Sequence, residues 1–162
     1  MKSLATTQTA SSQQPKYLLS IDPGLATGVV YMDIEDPMDP IIIGVWEMSP
    51  EEFYHRVEEI TSTHGPNVRV VIERYIITEA TGKKSAQPWS LELIGVTKFF
   101  CWKFGAKLTL QKPSEKEFAT NEKLRHVGFW HVGGEGHAND AFRHALVYLN
   151  NRYARWGKKL VM

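Results

Sequence analysis

Cysteine is nearly absent from this chain of 162 residues: the single one, Cys101, stands in the aromatic run KFFCWKF. One thiol excludes an intramolecular disulfide and fits a reducing compartment, and among aromatic neighbours it reads as a small buried hydrophobe. Long apolar runs are absent too. None approaches the ~18 residues of a membrane span, and the N-terminal MKSLATTQTASSQQP has no apolar stretch of signal-peptide type. The expectation is a cytoplasmic protein with no membrane contact. Strong net charge is also lacking, at 19 Lys and Arg against 18 Asp and Glu.

The charges are nevertheless segregated. Residues 1–80 carry 5 Lys/Arg against 12 Asp/Glu, a balance of −7, and residues 81–162 carry 14 against 6, a balance of +8. A basic half is the electrostatic footprint of a polyanion partner, although solvated helix faces produce the same composition. The length suits one domain with a real core. Residues 1–15, rich in Ser, Thr and Gln, have almost nothing to bury and read as a disordered tail, which leaves a single domain over 16–162.

From Lys16 the run YLLSI stops at Asp22-Pro23-Gly24, and GVVYMDI resumes with β-branched and aromatic residues, which predicts a hairpin with Asp22 ending its first strand. EDPMDP is a turn, and IIIGVWEM a third strand. Ser49-Pro50-Glu51-Glu52 combines an N-cap, a first-turn proline and acids, so a helix is expected over Pro50–Thr63 with Phe53, Val57 and Ile60 inward. VRVVIERYII is nearly continuous and β-branched, as in a strand buried on both faces, with Glu73 near its end. A polar loop, a helix over Trp89–Phe104, the strand AKLTLQ, a Gly-rich loop and a long helix over His137–Trp156 complete the chain.

Three separated acidic sites stand where elements begin or end: Asp22, Glu73, and the His137/Asp140 pair of GHANDAFRHAL. Such placement brings distant carboxylates around a divalent metal, and phosphoryl transfer needs hard oxygen ligands of this kind. Asp22 alone would also start an Asx turn. Glu73 is harder to explain without a metal or an ion pair, because a carboxylate directly after VRVVI lies close to the core. His137 and Asp140, three apart, share one helix face; Asp140 or Asn139 would also serve as a cap. His144, a turn further, reads as structural or solvated. No Ser-His-Asp arrangement is evident.

The order β-β-β-α-β-α-β-α is that of a ribonuclease H-like α/β fold: a five-stranded mixed sheet, in which a three-strand antiparallel meander is joined by two crossover strands, flanked by helices. On Ile21-Asp22-Pro23-Gly24 with Thr27-Gly28, on Ile72-Glu73, and on His137-Ala138-Asn139-Asp140-Ala141, residues 16–156 resemble the RuvC-type Holliday junction resolvases, close to the compact phage members. The resemblance implies a structure-selective endonuclease that nicks four-way junctions, with flaps and forks as further candidate substrates, leaving 5′-phosphate and 3′-hydroxyl ends. It implies a homodimer in a bacterial or phage-infected cell, and two Mg²⁺ or Mn²⁺ ions per site held by Asp22, Glu73 and Asp140. His137 either ligates metal or acts on the phosphate, and Lys116 would stabilise phosphate charge. Helicase-type motifs are missing, so a branch-migration motor would be a separate protein.

Lys83, Lys84, Lys112, Lys116, Lys123 and Arg143 are candidate phosphate contacts or solvated surface. Tyr75 is either an aromatic wedge at the branch point or a packing residue. The apolar surplus of Trp89–Phe104 suits a dimer seam or burial on both sides within one domain. A ribonuclease H acting on RNA–DNA hybrids, and a non-catalytic junction-binding protein, are the alternatives.

Overall fold

The computed structural model describes residues 14–76 and 88–161. Its strands are β1 (Tyr17–Asp22), β2 (Thr27–Asp33), β3 (Ile41–Met48), β4 (Val68–Glu73) and β5 (Lys107–Gln111). Its helices are α1 (Pro50–His64), α2 (Pro88–Phe104), α3 (Asn121–His126), α4 (His137–Arg152) and α5 (Arg155–Lys159), with a six-residue 3₁₀ segment at Pro113–Phe118. The five strands form one sheet in the order β3-β2-β1-β4-β5. The first three are antiparallel neighbours, while β4 runs parallel to β1 and β5 parallel to β4. This is the expected meander with two crossover strands. No helix among the described residues is long and apolar enough to cross a membrane.

Strand alternation sorts the side chains onto two faces. Leu19, Ile21, Val68, Val70 and Ile72 point to the face covered by α1 and α2, where they meet Phe53, Val57, Leu93 and Cys101. Leu18, Val30, Met32 and Val71 point to the opposite face and pack on Phe142, Ala145 and Leu149 of α4. The same alternation puts Ser20 and Asp22 of β1, Glu73 of β4 and Gln111 of β5 on the α4 face. Ser20 ties strand to helix by donating to the Ala141 carbonyl at 2.7 Å. Because β1, β4 and β5 are parallel, Asp22, Glu73 and Gln111 all lie at C-terminal strand ends along one edge, where open α/β sheets place their ligands.

Local chemistry accounts for the helix boundaries. Ser49 caps α1, and the Glu52 carboxylate accepts from the Ser49 N–H at 2.8 Å, completing a capping box. Cys101 is buried, and that burial pushes its thiol up to about 11, as suits an inert packing residue. On α2, Leu93, Ile94 and Cys101 face the core, whereas Leu91, Phe99 and Trp102 stand exposed, Trp102 at 81%.

Three expectations need revision. The last helix ends at Arg152 rather than Trp156: Tyr153 adopts an extended conformation, and the chain turns into α5 so that Trp156 is fully buried and donates to the Pro37 carbonyl at 2.7 Å. The strand that carries Glu73 stops there, and Arg74 and Tyr75 lie beyond it. The segment after β5, expected as loop, contains the 3₁₀ turn and α3, with Thr120 capping α3. The expected tail falls on residues outside the described ones except Gln14 and Pro15, and Pro15 is already buried. Lys83 and Lys84 also lie outside the described residues.

Candidate active site

α4 reaches the sheet only because of a glycine. A Cβ at Gly28 would lie 1.9 Å from the His137 carbonyl oxygen, so a side chain there would push the first turn of α4 off β2. Thr27, next to it, is fully buried and donates its hydroxyl to the Gly24 carbonyl at 2.8 Å, closing the loop that follows Asp22. The helix start is fixed from the other side by Glu47 of β3. Its carboxylate accepts from the backbone N–H groups of Glu135 (2.7 Å), Gly136 (3.0 Å) and Ala138 (2.9 Å). Gly133, Gly134 and Gly136 have positive φ, which lets the loop fold around that carboxylate. Burial opposes ionisation of Glu47, but the backbone donors outweigh it and hold the carboxyl below its ordinary value. Asn139 locks the preceding segment, accepting from the His131 N–H at 2.9 Å and donating to its carbonyl at 3.0 Å.

With α4 so placed, Asp22, Glu73, His137 and Asp140 converge on one open cleft of about 620 Å³ that Lys116 and Tyr75 also line. The Lys116 ammonium is the hub. It lies 2.9 Å from Glu73 Oε2, 2.9 Å from Asp140 Oδ2 and 3.8 Å from Asp22 Oδ1. His137 Nδ1 is 3.0 Å from Asp22 Oδ2. Arg143 bonds Asp140 on its other oxygen and reaches Asn121.

The charge balance of this cluster is incomplete. Burial pushes the Asp22 carboxyl above its ordinary value, against the lowering effect of His137 and Lys116. Burial also works against Glu73, but its contacts with His144 and Lys116 outweigh it and hold Glu73 below the usual range. Burial would lower Lys116, yet its bonds to Glu73 and Asp140 prevail and raise it. Three carboxylates thus face two permanent cations, Lys116 between them and Arg143 on the outer oxygen of Asp140. A site of hard oxygen donors with surplus negative charge fits a divalent cation, and Asp22, Glu73, Asp140 and His137 are the residues that would hold it.

Sequence reasoning missed three contributors. His144 is fully buried, so it is not solvated; its Nε2 lies 3.0 Å from Glu73 Oε2 and its Nδ1 2.7 Å from Gln111 Oε1. Ligand atoms of Asp22, Glu73 and His144 lie within 4.8 Å of one another. A helical spacing of four from Asp140 was the available signal, since it puts both side chains on one face. Gln111 and Glu47 left no comparable mark: each acts through a contact across the fold. The cation opposite Glu73 is Lys116, while Arg74 is exposed.

The other candidates are arranged around the cleft unevenly. Tyr75 lines it while packing partly on the α1/α2 core. Lys112 is exposed beyond β5. Lys123 folds over the Phe118 ring at 3.8 Å and donates to the Phe118 carbonyl at 2.9 Å.

No protein-family model and no curated protein matches the chain. Solved structures do. Thermus thermophilus RuvC in complex with Holliday junction substrate is similar at 19% identity and a TM-score of 0.59, covering 87% of this chain and 96% of that one. A second structure of Thermus thermophilus RuvC gives 18% identity, a TM-score of 0.58 and the same coverage. The fowlpox virus Holliday junction resolvase gives 11%, 0.54, and 83% of this chain against 99% of that one. At such identities the likeness establishes the fold, which is the ribonuclease H-like fold of these resolvases.

Proposed function

We propose that this protein is a divalent-metal-dependent, structure-selective DNA endonuclease that nicks four-way junctions, and flaps or forks by the same chemistry, leaving 5′-phosphate and 3′-hydroxyl ends. The observation that carries it is the convergence of Asp22, Glu73 and Asp140 from two strand ends and a helix start on one open cleft. The resolvase structures that share the fold support the choice of substrate.

In this reading Asp22, Glu73, Asp140 and His137 would hold two Mg²⁺ or Mn²⁺ ions, which would supply the charge that polarises the phosphate and activates water. The chain's own residues do the rest. Lys116, already between the carboxylates, turns its ammonium to a phosphate oxygen as negative charge develops there. His137, on the rim beside Asp22, orients or protonates a phosphate-bound oxygen. Arg143 steadies Asp140. Tyr75 at the cleft wall would meet an unstacked base, and Lys112, Lys123, Lys83 and Lys84 would contact further phosphates. The exposed Leu91, Phe99 and Trp102 follow helical spacing along α2, which supports a homodimer with two sites for a two-fold junction.

The test is cleavage of labelled four-way junction, flap, linear duplex and RNA–DNA hybrid with Mg²⁺, Mn²⁺ or EDTA, beside Asp22→Asn. Paired, metal-dependent nicks in the junction, lost in the variant while junction binding persists, are expected. Cleavage of hybrid alone would make the protein a ribonuclease H, and junction binding without any cutting a structural protein.

A further inference from the structure

The buried pair Gln111–His144 has no part in that mechanism, yet its hydrogen bonds aim one ring nitrogen at the carboxylates. Gln111 Nε2 donates to the His144 backbone carbonyl at 3.1 Å. A carbonyl only accepts, so the amide orientation is fixed, and Gln111 Oε1 is the atom 2.7 Å from His144 Nδ1. Nδ1 must therefore carry a hydrogen. In the neutral ring the lone pair then sits on Nε2, which faces Glu73 Oε2, another acceptor, at 3.0 Å. Two lone pairs would then face each other, so the contact calls for a positive species, either a second ring proton or a cation shared with the carboxylate.

The surroundings narrow what that species is. His144 is fully buried, on the second turn of α4, and the bond to the Gln111 side chain holds the ring in place. Asp22 Oδ is close enough that ligand atoms from Asp22, Glu73 and His144 all lie within 4.8 Å of one another, a spacing compatible with a shared cation. A metal-binding histidine usually donates its other N–H to an oxygen acceptor that fixes the tautomer, which is what Gln111 provides.

We propose that His144 Nε2 is a metal ligand, closing an inner cation site with Asp22 and Glu73, distinct in its donor set from an outer site of Asp22, Asp140 and His137. The proposal rests on the metal-dependent reading above and adds to it the identity of a ligand. One imidazole nitrogen makes the inner site more favourable to Mn²⁺ than an all-oxygen site would be, since Mg²⁺ strongly prefers oxygen donors.

The experiment is pulsed electron paramagnetic resonance of the Mn²⁺-loaded protein, with calorimetric titration of Mn²⁺ and Mg²⁺. Wild type and His137→Ala should both show the ¹⁴N modulation of a directly bound imidazole, and the double variant His137→Ala/His144→Ala should lose it, with Mn²⁺ binding to His144→Ala weakened about ten-fold or more and Mg²⁺ binding weakened less. Because a buried histidine is replaced, the assignment is also made without touching it. In His137→Ala grown with ¹⁵N-histidine, the ¹⁴N signal should be replaced by that of ¹⁵N. Mn²⁺ bound to His137→Ala with no histidine nitrogen coupling would overturn the proposal and leave His144 as a hydrogen-bond partner of Glu73. Failure of the wild type to bind Mn²⁺ at all would overturn the metal reading of the whole site, a distinguishable outcome.

Discussion

Lys116 holds the position that a cation between the three carboxylates would take, and this makes Lys116→Met unusually informative. Its ammonium makes two bonds of 2.9 Å to Glu73 and Asp140 and stands 3.8 Å from Asp22. Its side chain is only 26% exposed, so solvent screens these contacts incompletely. Hydrogen bonds between charged partners contribute about 1.5–3 kcal/mol each, and removing one partner of a partly buried cluster leaves the others uncompensated. A net loss of roughly 2–3 kcal/mol is a reasonable figure, which in a domain of this size lowers Tm in EDTA by about 5–10 °C. A divalent ion that binds the same oxygens must displace the ammonium in the wild type but not in the variant. The affinity for Mg²⁺ or Mn²⁺ should therefore rise by roughly one to two orders of magnitude, from the same 2–3 kcal/mol, and the metal should restore the lost Tm. Junction cleavage should fall by about 10²-fold or more, because no ammonium remains for the phosphate. Calorimetry and thermal melts with and without metal check all three. If metal affinity in Lys116→Met were unchanged or weaker, the ammonium and the metal would not share those oxygens, and the placement of the cation argued here would be wrong.

Gly28→Ala puts a methyl group 1.9 Å from the His137 carbonyl oxygen; a destabilisation of about 3 kcal/mol, read by denaturant unfolding, and a cleavage loss near 10²-fold from the displaced α4 are expected. Glu47 has a folded-state carboxyl held below its ordinary 4.5 by the backbone donors at the start of α4, after burial is overcome. It therefore contributes stability that is present above that value and lost as pH falls through the folded-state value. Glu47→Gln should cost roughly 2 kcal/mol at pH 7, with the Tm gap to wild type closing below about pH 4.5, and a gap independent of pH would refute the capping role. Trp102, 81% exposed, should give Trp102→Glu a wild-type Tm but a monomer in sedimentation if α2 is the dimer seam; an unchanged dimer would place the seam elsewhere.

The fold was legible because short apolar, β-branched runs and turn chemistry were strong in the first 73 residues: Asp-Pro-Gly, the proline turn and the Ser49 cap each marked an element boundary close to where the structure has it. The boundaries that slipped were decided by long-range contacts. α4 stops where Trp156 can be buried and donate to Pro37, a partner 119 residues away in sequence, and helical periodicity carries no record of such a bond. The short α3 has too few turns for a periodic signal.

The site shows the same division at finer grain. Asp22, Glu73, His137 and Asp140 were visible because each is a costly residue at an element boundary, and a carboxylate directly after the run VRVVI demands a partner in any fold. What the partners are is a different kind of information. Lys116 came from resemblance, whereas Gln111, His144 and Glu47 are polar residues whose sequence neighbours offer an ordinary solvated reading. Their roles arise when parallel β1, β4 and β5 bring their ends to one edge and Gly28 lets α4 descend onto it. The charge segregation of the chain also takes its meaning there: Asp22 and Glu73 come from the acidic half, Lys116 and Arg143 from the basic half, and the cleft is where the two meet. Asp140 and His137 also come from the basic half, so the fold, and not a strict division of the two halves, assembles this mixed cluster.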